Sequence, residues 1–349
     1  MNFETFFSSG AAGKKPRPYQ VMLAKGVWPE TRVVPTGFGK TAAVLAAWLW
    51  KVAQCDARTP RRLVYCLPMR TLVEQTEAVA RTWISTARQE LGLDAQLDVL
   101  MGGLRPGRRG APNWVLNPDR PAILIGTQDL LVSAALMRGY GASRYRWPVD
   151  FALLHNDALW VFDEVQLTGA TLATSAQLEA FRRAFGVGSD CRTLWMSATL
   201  DPTWLKTVDF KPADECRPHD LTDADLAEAE HLWTAKKLLR RLDLDSLDIG
   251  KKENLKAYAA GLAKRATEKA KPGTNTILFL NTVIRAQVVF DALKNTEHKG
   301  EVILVHSRFR KADRAHRMKQ LSEDPPTEGR IIVATQALEA GVDVTSATV

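Results

Sequence analysis

Along most of the chain, short apolar runs alternate with longer stretches whose apolar positions recur at helical spacing. The short runs are Arg32 to Pro35, Leu63 to Leu67, Leu97 to Met101, Ala122 to Gly126, Leu159 to Phe162 and Thr193 to Met196. Between them lie helical stretches such as Thr41 to Lys51, Thr71 to Glu90 and Thr171 to Phe185. Strands separated by helices predict the α/β class, a parallel sheet with helices on its faces. We expect a tail over residues 1–15, a first lobe over 16–210, a charged connector over 211–272 and a second β/α series over 273–349. In that last part Thr276 to Leu280, Val302 to Val305 and Arg330 to Ala334 read as strands, and Val283 to Lys294 and Lys311 to Leu321 as helices. With three clear strands, the second lobe reads as incomplete, and its strand edges are expected to be unpaired near Val349.

Composition narrows the class without naming chemistry. A hydrophobic fraction of 46% and a charged fraction of 25% are those of a globular chain, and no apolar run is long enough to span a bilayer. Cys55, Cys66, Cys191 and Cys216 are scattered, which predicts reduced thiols and a cytoplasmic location and argues against a zinc site. The net charge of +8 favours a polyanionic partner. Arg105, Arg108 and Arg109 follow Gly102-Gly103, and Arg138, Arg144 and Arg146 stand among Tyr140, Tyr145 and Trp147. Cations interleaved with aromatics suit a nucleic-acid strand, although flexible basic loops are common.

Two short segments carry the chemistry. Val34-Pro35-Thr36-Gly37-Phe38-Gly39-Lys40-Thr41 lies between a strand and a helix, where glycines let backbone N–H groups converge on phosphates and the helix start adds its positive end. Lys40 would supply a charge to the phosphates, and the Thr41 hydroxyl a ligand for Mg²⁺. The pattern G-x-x-x-x-G-K-[ST] is not strictly met, since Val34 occupies the first glycine position. Leu159 to Phe162 then ends in Asp163-Glu164, at the carboxyl end of a strand where such sheets keep their sites. Asp163 can hold Mg²⁺, and Glu164 can activate the water that attacks the γ-phosphate. An Asp-Glu pair alone would more often be a solvated loop; beside the phosphate loop it becomes half of one magnesium-nucleotide site.

With these two segments, an ordered set of others resembles the superfamily-two DExH/D-type helicases, closest to the CRISPR-associated helicase-nuclease of type I systems. Arg17-Pro18-Tyr19-Gln20 is similar to the element that senses adenine, with Gln20 reading its edge, and Val34 to Thr41 is similar to motif I. Pro68 to Gln75 resembles motif Ia, and Gly102-Gly103 with Gly126-Thr127-Gln128-Asp129 resembles the next strand-contacting pair. Asp163-Glu164-Val165-Gln166 corresponds to motif II and Ser197-Ala198-Thr199 to motif III. Phe279 to Thr282 resembles motif IV, His306-Ser307-Arg308-Phe309 the element that points to the CRISPR branch, and Thr335 to Asp343 motif V.

The resemblance implies two RecA-like lobes of the P-loop NTPase type, with ATP and Mg²⁺ as cofactors. It implies catalytic roles for Lys40, Asp163 and Glu164, and nucleotide contacts from Tyr19, Gln20, Thr36, Gly37, Phe38, Gly39, Lys40, Thr41, Gly341 and Asp343. Thr41 and Asp163 would serve the metal. Nucleic acid would meet Arg70, Thr71, Gly103, Gly126, Thr127, Asn281, Arg308 and Thr335, while Gln166, Ser197 and Thr199 couple the two sites. The implied activity is movement along single-stranded DNA in CRISPR interference, an antiviral defence, with an RNA-guided surveillance complex as partner.

Three departures bear on these expectations. Gln166 stands where many relatives carry His or Asp, so an amide would join motifs II and III. No arginine-rich motif VI follows motif V, and loss of such arginine fingers lowers phosphoryl transfer by about 10³–10⁵; hydrolysis by these 349 residues alone is therefore expected to be slow. The family's His-Asp nuclease site has no copy here, and His219-Asp220 reads as coincidence. An RNA helicase, a restriction-type translocase and a non-catalytic nucleotide- and DNA-binding fragment remain open as alternatives.

Overall fold

The computed structural model describes residues 1–101, 113–140, 142–212, 221–228, 252–335, 338 and 346–349. The chain divides into two compact units, Met1–Ala235 and Lys236–Val349. In the first, β1 (Thr31–Val33), β2 (Arg62–Leu67), β3 (Gln96–Leu100), β4 (Ala122–Thr127), β5 (Ala158–Phe162) and β6 (Cys191–Ser197) form one sheet in the order β1-β6-β5-β2-β4-β3. Every neighbouring pair runs parallel. Helices cover both faces, so β2, β4 and β5 are buried at every position and read in sequence as unbroken apolar runs, whereas the edge strand β3 is mostly half-buried. No helix among the described residues is long and apolar enough to cross a membrane.

The helices are α1 (Phe3–Gly10), α2 (Pro18–Lys25), α3 (Lys40–Ala53), α4 (Arg70–Leu91), α5 (Asn113–Leu116), α6 (Gln128–Ala135), α7 (Trp147–His155), α8 (Ala170–Phe185) and α9 (Asp223–Glu228). Residues 1–15 differ from the expected tail. Asn2 caps α1 by accepting from the Thr5 N–H at 2.8 Å, and Phe3, Phe6 and Phe7 are buried in the core against Trp50 and Trp83. Three aromatics at i, i+3 and i+4 form one helical face, and burying it outweighs the ordering cost of a terminus. The expected connector differs too. Its helix α9 belongs to the first unit, where buried Asp225 accepts from the Tyr19 N–H at 3.3 Å and so holds the start of α2.

The second unit carries β7 (Asn275–Phe279), β8 (Glu301–Val305) and β9 (Arg330–Ala334) in the parallel order β7-β9-β8, with α10 (Lys252–Lys269), α11 (Val283–Lys294) and α12 (Lys311–Ser322). Helix α10, also inside the expected connector, packs against α11 through Ala259, Leu262, Ala263 and Ala266. The edge near Val349 is not left unpaired as expected. Ala347 N–H donates to Asn275 O at 3.0 Å and Thr348 O accepts from Ile277 N–H at 2.9 Å, so the last residues run parallel beside β7.

Candidate nucleotide site and nucleic-acid edge

Motifs I, II and III lie far apart in sequence but follow β1, β5 and β6, which are adjacent in the sheet. Val33 registers with Ser197, and Val34 N–H donates to Ser197 O at 3.0 Å, so the phosphate loop leaves the sheet beside motif III. On the other side, Asp163 N–H donates to Cys66 O at 3.1 Å, which fixes the start of motif II to β2. Three loops thus meet at the carboxyl edge of one sheet, where ligands of open α/β folds bind.

Within the loop, Gly37 and Gly39 have φ of 84° and 76°, a left-handed conformation that a side chain would strain. Gly39 is the N-cap of α3 and caps it with no side chain. Thr36, Gly37 and Gly39 are exposed and Thr41 is half-buried, but the Phe38 ring is buried in the core, where the Arg17 guanidinium lies 4.8 Å above its centroid. Phe38 therefore offers a nucleotide only its backbone. Tyr19 and Gln20, expected at the adenine, hold this loop. Tyr19 Oη donates to Phe38 O at 2.6 Å, and Gln20 Nε2 approaches Phe38 O and Gly39 O at 3.4 and 3.3 Å. Gln20 Oε1 also accepts from Arg17 N–H at 2.8 Å, satisfying a donor at the start of α2. Gln20 is buried, and both ends of its amide bond to protein.

One continuous set of polar contacts joins the three motifs. Lys40 Nζ lies 2.9 Å from Glu164 Oε1 and 4.0 Å from Asp163 Oδ1. Gln166 Nε2 donates to Glu164 Oε2 at 2.7 Å, Ser197 Oγ donates to Gln166 Oε1 at 2.6 Å, and Thr199 N–H donates to Ser197 Oγ at 3.0 Å. The amide of Gln166 is thus the link between motifs II and III. Glu164 itself has φ 53° and ψ 46°, a left-handed residue at the turn from β5 into the 3₁₀ turn Val165–Leu167. For a non-glycine residue that conformation costs about 1–2 kcal/mol; here it aims the carboxylate back at Lys40.

Asp163 is buried, and burial pushes its carboxyl above the usual range, against the pull of the nearby Lys40 cation. Its Oδ2 accepts from Tyr65 Oη at 2.7 Å, and its Oδ1 from Glu164 N–H at 2.9 Å. The ionisation of Tyr65 is pushed well up by burial and then by the Asp163 charge. Thr41 and Asp163 are oxygen donors suited to Mg²⁺. Among the described residues no group of three or more His, Cys, Asp or Glu could hold a metal ion by itself, so an ion here would share the phosphate oxygens of a nucleotide. Cys66 and Cys191 are buried free thiols, the latter pushed up to about 11 by burial.

The same sheet edge presents further helix starts. Helix α4 begins at Arg70 after Met69 and α6 begins at Gln128 after Thr127, neither with a side-chain cap, so first-turn N–H groups stay available to phosphate. Arg70 is exposed, whereas the Thr71 hydroxyl is shut away from solvent. Gly126, expected at the strand, has a packing reason. A Cβ there would stand 2.6 Å from Leu100 O across the β3–β4 pair. Gly126→Ala is expected to lower stability by about 1–3 kcal/mol as overpacking does, read as a fall of roughly 2–4 °C in Tm for each kcal/mol in a unit of this size. A Tm equal to that of the unchanged protein would remove the packing argument.

In the second unit Asn281 and Arg308 are exposed at the carboxyl ends of β7 and β8, and Thr335, after β9, is buried. His306 is also buried, stacked on Phe309 with centroids 4.2 Å apart. Gly103, Gly341, Asp343, His219, Asp220, Arg105, Arg108 and Arg109 lie outside the described residues. Of the second basic-aromatic group, Tyr140 and Tyr145 are exposed, while Arg146 bridges Asp150 at 2.9 Å and Trp147 bonds Gly139 O at 3.2 Å. Tyr65 and Asp225 were not singled out in the sequence. For Tyr65 the available signal was a phenol in an otherwise apolar strand.

Two family models match this chain: DEAD/DEAH box helicase over residues 31–208, and the C-terminal part of the CRISPR-associated nuclease/helicase Cas3 over residues 272–349. The first covers just over half of the chain, which therefore belongs to the DEAD/DEAH box helicases, a class of ATP-dependent enzymes. A protein of Myxococcus xanthus (strain DK1622) described as a CRISPR-associated nuclease/helicase Cas3 is 28% identical over 347 residues, 96% of this chain and 41% of the relative. Together with the second family model, this is a likeness to the Cas3 helicases. It spans about two fifths of that relative's length. Among solved structures, T. fusca Cas3 with ATP has a TM-score of 0.61 at 18% identity, over 98% of this chain and 42% of that one. Mycobacterium smegmatis helicase Lhr bound to ssDNA and AMP-PNP has a TM-score of 0.58 at 19% identity, over 99% and 42%. Both likenesses show the RecA-like fold.

Proposed function

We propose that the chain couples ATP hydrolysis to movement along single-stranded DNA, as the helicase part of a cytoplasmic CRISPR interference system. The observation that supports this most directly is the contact chain Lys40–Glu164–Gln166–Ser197–Thr199, which ties the residues suited to phosphate chemistry to the motif implied to couple the two sites. Lys40 and the loop N–H groups bind the phosphates. Glu164 accepts the proton of the attacking water, and Gln166 feels any change at Glu164 and passes it to Ser197. Magnesium, when bound, neutralises phosphate charge, with Thr41 and Asp163 as the residues that would hold it. Because Lys40 already faces two carboxylates, phosphates compete with Glu164 for it. An RNA-guided surveillance complex is the partner this reading implies.

The DNA path proposed for the first unit runs past the starts of α4 and α6; on the second unit, taken by itself, exposed Asn281 and Arg308 are the proposed contacts. Fluorescence-anisotropy titrations of labelled single-stranded DNA and RNA over a range of salt test it. DNA is expected to bind the more tightly, with log affinity falling against log salt by about 0.7 for each phosphate contacted. Arg70→Ala should reduce that slope by about 0.7. A flat salt response would remove the path, and tighter binding to RNA would favour the RNA-helicase reading.

A further inference from the structure

We propose that Asp225 is a positioning residue of the nucleotide site: from α9 it holds Tyr19, and through Tyr19 the Phe38 carbonyl of the phosphate loop, so that nucleotide binding and docking of α9 favour each other. The inference rests on the reading of Val34 to Thr41 as a phosphate loop. Asp225 is fully buried, and its two oxygens serve two helix starts. Oδ2 accepts from the Thr222 N–H at 2.9 Å and from the Thr222 hydroxyl at 2.7 Å, while Thr222 Oγ accepts from the Asp225 N–H at 3.2 Å, a reciprocal cap on α9. Oδ1 accepts from the Tyr19 N–H at 3.3 Å. In the first turn of α2, Pro18 has no N–H, and Gln20 and Val21 donate to Arg17 O. The Tyr19 N–H is thus the first-turn donor that is met from another segment.

The side chain of Tyr19 reaches the loop. Its hydroxyl donates to Phe38 O at 2.6 Å, and burial, which pushes the ionisation of the phenol up, keeps that proton in place. Gln20 Nε2, 3.4 Å from the same oxygen, is a weaker second donor. A trans peptide points its C=O and its N–H to opposite sides. Holding the Phe38 carbonyl therefore turns the Gly39 N–H away from buried Tyr19, to the exposed side of the loop where phosphates would lie. Gly37 and Gly39 have no Cβ to resist a turn of the peptide, so the bonds to its carbonyl are what fix it. With α9 undocked, the Tyr19 N–H loses its acceptor, the start of α2 is released, and the carbonyl loses its anchor. A nucleotide that uses the Gly39 N–H thus favours docked α9, and by linkage docked α9 favours the nucleotide by the same factor. Helix α9 is also the last described element before the second unit begins at Lys236, so the loop is tied to the stretch of chain that joins the units.

The test uses this chain, two variants and two readings: equilibrium binding of a fluorescent ATP analogue, and hydrogen exchange of the α9 amides with and without it. In the unchanged protein the analogue should slow α9 exchange, although α9 supplies no residue to the loop. Asp225→Ala should weaken binding by about 5–150-fold, the range of such couplings. Tyr19→Phe keeps the N–H that Asp225 accepts and removes only the hydroxyl. Its α9 exchange without nucleotide should stay near that of the unchanged protein, while the response to nucleotide disappears. Combining the two substitutions should add little to the loss of affinity, since both break one linkage. Unchanged affinity in Asp225→Ala would overturn the proposal. So would a nucleotide response of α9 that survives in Tyr19→Phe, or losses that add in full in the double variant, since either would mean that Asp225 does not act through the hydroxyl. If Asp225→Ala does not fold, Tyr19→Phe decides alone: loss of the α9 response there supports the coupling, and its survival overturns it. If instead the unchanged protein bound no nucleotide, the reading of the loop itself would fail, and this inference with it.

Discussion

Glu164→Gln should slow ATP hydrolysis by about 10²–10⁴-fold, the contribution of a positioned general base, while ATP binding is kept or tightened. The amide preserves the shape of the side chain and can still accept from Lys40, so the left-handed turn at residue 164 has no new reason to rearrange. What disappears is the negative charge that Lys40 Nζ meets at 2.9 Å and the basic oxygen that would take a proton from water. With an uncharged competitor, phosphates capture Lys40 more easily. The change also removes the acceptor at 2.7 Å from Gln166 Nε2 unless one of the two amides turns over, so the link to Ser197 should loosen at the same time. Single-turnover hydrolysis with enzyme in excess reads the chemical step even when turnover is slow. Binding of a fluorescent ATP analogue reads the other half. A rate within threefold of the unchanged protein, roughly half the weight of one pKa-unit equivalent in barrier terms, would remove Glu164 as the base.

The strands were legible because a parallel sheet covered on both faces demands unbroken apolar runs, and Leu63 to Leu67 or Leu159 to Phe162 can hardly be anything else. The phosphate loop was legible because its glycines and lysine are local. Strand order was not, since β1, β6 and β5 become neighbours only through long-range packing that no window of sequence contains. The same distance hid the hydrogen bond of Tyr65 to Asp163, 98 positions away. It also hid Asp225, 206 positions from the Tyr19 N–H that it accepts. Gln20 and the first fifteen residues are another case. Pro18 at the first helical position is a helix-start signal, and Phe3, Phe6 and Phe7 mark a helical face; both signals are local.

Lys40→Ala is expected to abolish measurable nucleotide binding and, in addition, to destabilise the first unit. A lysine at a helix start would ordinarily be a solvated group whose loss the fold ignores. Here its side chain is 8% exposed and lies between Glu164, at 17%, and Asp163, at 5%. Removing the cation leaves two carboxylates facing each other with only neutral donors, Tyr65 and Gln166 among them. Breaking a fully buried pair costs about 3–5 kcal/mol, and water reaching Glu164 should bring the loss here to about 1–3 kcal/mol. The pH dependence has a definite sign. Burial already raises the Asp163 pKa in the folded protein, and Lys40 opposes that rise, so the alanine variant raises it further. Its folded state then holds a proton more tightly than its unfolded state. The destabilisation should therefore be small in acid, where Asp163 is protonated, and grow as pH rises through the carboxylate range and above. Thermal unfolding without nucleotide at several pH values reads this difference, and adding Glu164→Gln should recover part of it by withdrawing one of the stranded charges. Unchanged nucleotide affinity in Lys40→Ala would remove the loop as the phosphate site. A stability loss that shrank with rising pH would refute the electrostatic account of why this lysine is buried.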